Sequence, residues 1–94
     1  MLFRSYLRQN QQFRAALERE AAILAARKCT PLDAAELWMI LARLDAAEDE
    51  KIRGELDREL HQKIAKIADN PMIYSVLAAA DQLTENIEIG RAHV

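Results

Sequence analysis

Two dipeptides, Thr30-Pro31 and Asn70-Pro71, constrain this chain more than any other feature, because they hold its only two prolines. Threonine or asparagine ahead of proline reads as a helix start. The side chain accepts a bond from a free backbone N–H, and proline occupies a position whose own N–H had no partner to lose. Outside these points little interrupts a helix: glycine occurs twice and aromatic residues make up 5%. Alanine, leucine, glutamate and arginine dominate, and all are strong helix formers. A β-sandwich or barrel is excluded on this composition, and an all-α fold is expected. The 94 residues suffice for one domain, in which roughly 60–65% of the unfolded surface is buried.

Apolar spacing predicts an antiparallel bundle of about four helices. The first spans about 3–27, with Phe13, Leu17, Ala21 and Leu24 along one face. A second covers about 31–47 and places Leu37, Ile40, Leu41 and Leu44 inward, with Trp38 on a flank. Glu48-Asp49-Glu50 then reads as a solvated turn. The third, about 52–68, carries Leu56, Leu60, Ile64 and Ile67. The fourth, about 71–88, carries Ile73, Val76, Leu77, Ala80, Leu83 and Ile87, with Gly90 as its expected stop. Trp38, Met39 and Met72 read as packing residues. Connections of a few residues favour antiparallel neighbours.

Charge narrows the function classes. The formal net charge is −2, which gives the chain as a whole no case for binding nucleic acid. Residues 1–30 carry a net +4 and residues 31–50 a net −5, read as two solvated faces that attract each other. Cys29 is the only cysteine, which excludes an internal disulfide and favours a cytoplasmic setting. No apolar run reaches the ~20 residues of a membrane span. Phosphate-binding glycine loops and paired CxxC ligands are absent from the sequence. No nucleophile–base set is visible either, so the chain is not expected to be an enzyme.

Three polar residues stand out. Asp57 and His61 are four apart on the third helix, on a face that continues through the small residues Ala65 and Ala68. That face lies about 100° from the leucine–isoleucine row. A carboxylate and an imidazole one turn apart can hold a divalent metal such as zinc, or can form an ordinary surface pair. Arg14 follows Phe13 beside the first apolar row, where a guanidinium can clamp a carboxylate or simply reach solvent. His93, the only other histidine, lies beyond Gly90 near the C-terminus.

The segment Arg14-Ala-Ala-Leu17-Glu18, then Ala21 to Ala26, then Thr30 and Asp33, resembles the opening of the FCD domain. That domain is the effector-sensing part of FadR-type GntR transcription regulators. Glu55-Leu56-Asp57-Arg58-Glu59-Leu60-His61, followed by Ile64-Ala65, Ala68, Asn70 and Pro71, resembles the most recognisable stretch of the same family. The resemblance covers roughly residues 13–85. It implies a helical bundle that binds a small organic acid, often with a divalent metal, and that contributes to dimerisation. It implies metal ligation by Asp57 and His61 and an effector contact by Arg14. The later histidine-bearing helices and the winged-helix DNA-binding domain have no counterpart in residues 1–94, so the chain is expected to be a partial FCD bundle. DNA contact is then expected only through a domain outside this chain. Any metal site is expected to be weak, and self-association is expected to cover apolar surface. A ligand-free structural module that oligomerises is the alternative.

Overall fold

The computed structural model describes residues 2–92, and the side chains of these except Phe3 and those from 87 onward. Four helices make up the fold: α1 (Leu2–Lys28), α2 (Pro31–Ala46), α3 (Glu50–Ile67) and α4 (Pro71–Ala92). Strands are absent from the described residues. Both proline starts form as expected. Thr30 and Asp33 build a reciprocal capping box, with the Asp33 amide donating to Thr30 Oγ1 at 3.1 Å and the Thr30 amide to Asp33 Oδ2 at 3.1 Å. Asn70 Oδ1 accepts from the Ile73 amide at 3.2 Å.

Two boundaries differ from expectation. The acidic run is not a free turn: Asp49 caps α3 by accepting from the Ile52 amide at 3.4 Å, and Glu50 already belongs to the helix. A carboxylate at that end is favoured by the helix dipole. Gly90 does not stop α4, which continues to Ala92, because glycine lowers helix stability without forbidding the helical conformation. Ile87 and His93 lie outside the described side chains.

α3 is the central element. Among the described residues α1 packs on α3 and α4, while α2 packs on α3 alone. Asp33 and Glu36 near the start of α2 meet Lys63 late in α3, and Arg43 late in α2 meets Glu59, so α2 and α3 are antiparallel. Asn10 meets Thr84 and Arg14 meets Asp81, so α1 and α4 are antiparallel as well. α1 and α3 instead run parallel, with Ala21 and Ala25 packed near Ile67 and Ala68. Consecutive helices therefore need not be neighbours here: α3 separates α2 from α1.

The buried core is small-residue in character. Ala21, Ala25, Ala65, Ala68 and Ala80 join Ile40, Leu56, Ile67 and Leu77. Alanines bring helix backbones close but bury little area per residue. The molecule is a slab of 46 × 32 × 15 Å with a radius of gyration of 14.7 Å, above the ~12 Å of a compact domain this long. Its thin build leaves three expected packing residues outside. Trp38 is 70% exposed, Met39 65% and Met72 77%. Phe13 is also exposed, because the inward row of α1 lies one position round, through Asn10, Arg14, Leu17 and Ala21.

Candidate functional site

A polar cavity of about 180 Å³ lies where α1, α3 and α4 converge. Arg14 reaches it from α1. Gly54, Asp57, Arg58 and His61 border it from α3, and Asp81, Thr84 and Glu85 from α4. Helical spacing explains the α3 contribution: Gly54, Asp57, Arg58 and His61 are three or four apart and share one face. Gly54 meets nothing within 4 Å on the side where a Cβ would stand, so its missing side chain widens the cavity mouth.

Arg14 is anchored to the fold. Its Nη2 lies 2.7 Å from Asp81 Oδ1 on α4 and 3.4 Å from Glu18 Oε1 one turn along α1. Its Nε is sealed from solvent and has no acceptor among the described residues. A buried guanidinium N–H without an acceptor costs free energy. One turn before Arg14, the buried Asn10 donates to Thr84 Oγ1 at 2.6 Å, and Thr84 donates on to the Ala80 carbonyl at 3.0 Å. This chain of bonds fixes the register of α1 against α4 and so fixes where Arg14 meets Asp81.

Asp57 and His61 stand at the rim. His61 Nε2 is 3.6 Å from Asp57 Oδ1, and their side chains are 43% and 62% exposed, respectively. They therefore border a cavity without being enclosed by it. The small residues further along that face do not open onto this cavity: Ala68 is buried where α1 closes on α3, and Ala65 is buried beside a separate hollow at the start of α4. The polar cavity borders α3 from Gly54 to His61. No group of three histidine, cysteine or acidic side chains suited to one metal ion occurs among the described residues. Asp57 and His61 thus supply two donors, short of the three or four protein ligands usual for zinc. Of the two further carboxylates on the cavity wall, Asp81 and Glu85, Asp81 is engaged by Arg14.

Cysteine and the second charge cluster contribute nothing here. Cys29 is exposed. Lys63 joins α2 to α3 through Glu36 at 2.7 Å and Asp33 at 3.7 Å. The backbone and hydroxyl of Thr30 hold the Asp33 carboxyl below its ordinary range, with Lys63 adding to the effect. The hydrogen bond to Glu36 raises Lys63, against a smaller opposing effect of burial.

The parallel α1–α3 seam, the antiparallel α4 and the Arg14-centred cavity can now be set beside known sequences. The FCD domain model matches residues 11–93. The chain belongs to the FCD family. FCD domains are helical, regulatory rather than catalytic, and serve effector binding in GntR-type proteins. No curated protein sequence and no solved structure matches the chain at a significant level. Arg14, Asp57 and His61 all fall inside the FCD match. Its described residues include no helix long and apolar enough to cross a membrane.

The sequence alone did not single out Asp81, Thr84, Arg58 or Glu85. The signal for Asn10 and Arg14 was nevertheless present. Both continue the Leu17–Ala21 row toward the N-terminus at helical spacing, and a polar residue inside an apolar row marks a buried polar contact.

Proposed function

We propose that this FCD chain is the effector-sensing and self-associating part of a GntR-type transcription regulator that acts in the cytoplasm. Its effector is a small organic acid bound in the cavity between α1, α3 and α4, where Arg14 receives the carboxylate. The observation that carries this reading is the Arg14–Asp81 pair at 2.7 Å. It ties a cation of the first helix to the fourth helix at the wall of a cavity. A carboxylate competing for Arg14 would change how firmly α1 holds α4, and a ligand shifts an equilibrium only through such a difference in affinity between two states. Asp57 and His61 would hold a divalent ion such as zinc together with the effector's own oxygens, and would supply charge neutralisation to the bound acid. Contact with DNA belongs to a separate domain.

Calorimetric titration of the folded chain with small carboxylates, with and without zinc, tests the reading. Binding that Arg14→Gln abolishes is expected. Silence across the panel from a chain that remains helical contradicts it.

A second reading, a ligand-free oligomerisation module, is favoured by the outer face of α2, where Leu32, Trp38 and Met39 are exposed. Helices apolar all round belong in interiors. Carboxylate binding separates the two readings: under the first, Trp38→Ser with Met39→Ser is expected to reduce self-association, read by sedimentation, and to leave carboxylate binding intact. Under the second reading no carboxylate binds at all.

A further inference from the structure

The charges around the polar cavity do not suit a bare anion. Arg14 and Arg58 face three carboxylates, Asp57, Asp81 and Glu85. These five groups carry one more negative than positive charge. Arg14 is matched twice, by Asp81 and Glu18. Arg58 and Glu85 form no ion pair among the described residues, and Asp57 faces only His61. An acid entering alone meets guanidinium groups but also adds to the surplus of negative charge. A ligand that brings its own positive charge removes this conflict.

Beside this cavity lies a second one of a different character. It measures about 300 Å³ and is lined mainly by Ala15, Ala21, Ala22, Ile64 and Leu77, with the cation Arg19 also on its wall. His61 borders both cavities, and Glu18 on the wall of the second is the residue bonded to Arg14. The polar cavity alone, at about 180 Å³, is smaller than the ~300 Å³ at which ligand pockets begin. It has room for a head group, and the groove beside it, which shares His61 with it, has room for a side chain.

We infer that the ligand is an α-amino acid with an aliphatic side chain. Its carboxylate lies toward Arg14 and Arg58, its ammonium toward Asp57 and Glu85, and its side chain in the alanine-lined groove. This inference rests on the reading of the cavity as the effector site and names the class of effector. For this class of effector the ammonium takes the place beside Asp57 that a divalent ion would hold for a bare acid, so its binding needs no metal. Each buried methylene contributes roughly a three- to fourfold gain in affinity.

Calorimetry on the full chain in the presence of a chelator tests this with norleucine, hexanoate, norleucine amide and glycine. Norleucine is expected to bind at least tenfold tighter than each of the other three. Asp57→Asn with Glu85→Gln is expected to remove that advantage from both sides, weakening norleucine and strengthening hexanoate, which no longer adds to a surplus of negative charge. Ala22→Leu fills the groove with a good helix former and is expected to bring norleucine down to the level of glycine. Hexanoate binding as tightly as norleucine overturns the inference, as does an Ala22→Leu chain that still prefers norleucine. Carboxylate binding that requires zinc, with no amino acid bound, also overturns it and leaves the effector reading standing. A folded chain that binds neither amino acids nor carboxylates, with or without zinc, overturns both.

Discussion

The two sides of α3 are built on opposite rules. Toward α1 the contact runs largely through alanines, with Ala21, Ala25 and Ala68 buried together around Ile67. Toward α2 it relies on larger side chains such as Ile40, and on the Lys63 ion pairs with Asp33 and Glu36. Close backbone approach makes the first side intolerant of added volume, whereas the second is intolerant of lost volume. The difference also separates roles. The alanine side carries the cavity and its fixed arginine, while α2 carries an outer face for which the described residues provide no cover.

Substitutions can break this contrast. Ile40→Ala should have the largest effect, a loss of about 2–4 kcal/mol, read by chemical denaturation. It should release α2 first, seen as faster proteolysis between residues 31 and 46 with the α1–α4 contact retained. Ala68→Leu should cost about 1–3 kcal/mol by overpacking the seam. It should also move α1 away from α3 and so disturb Arg14, which Ile40→Ala should not do. If the two substitutions have the same pattern of local release, the contrast is wrong.

Gly54→Ala should stabilise the chain by about 1 kcal/mol, since alanine is the better helix former and the added Cβ meets nothing within 4 Å. A thermal melt checks the sign. A destabilised Gly54→Ala chain would show that the cavity mouth is narrower than described.

The ion pairs of α2 should give the smallest effect, read as a pH dependence. The Asp33 carboxyl is held below its ordinary value of 3.8 by Thr30 and Lys63. Its contribution is therefore present above that value and lost as pH falls through the lowered one. Lys63 is raised above 10.5, so its contribution is complete below that value and lost as pH rises through the raised one. Fluorescence of Trp38 against pH should therefore show α2 loosening at both extremes. Asp33→Asn should remove the acid limb; an unchanged acid limb would dissociate Asp33 from the attachment of α2.

Local signals made much of this legible. Caps and prolines are short-range chemistry, so the starts of α2 and α4 followed from four residues. The apolar rows gave four helices. Their neighbours were harder to read, because a short connection specifies proximity of ends and not which faces meet. The parallel α1–α3 seam comes from alanines whose spacing is common in any helix. Trp38, Met39 and Met72 were expected inside on grounds of hydrophobicity, yet a slab 15 Å thick lacks the interior to bury them. At the site, Asp57 and His61 were visible because they lie one turn apart. Asp81 was not, since its meeting with Arg14 depends on α4 returning along α1.

The most direct test of the central claim, that the Arg14-anchored cavity is where this FCD chain takes its effector, is a backbone amide chemical-shift titration of the isotope-labelled chain with norleucine and then with small carboxylates. The account predicts saturable shifts concentrated around Arg14, residues 54–61 and residues 81–85, lost in Arg14→Gln. Shifts that do not saturate, or that gather instead on the outer face of α2 around Trp38, would contradict it.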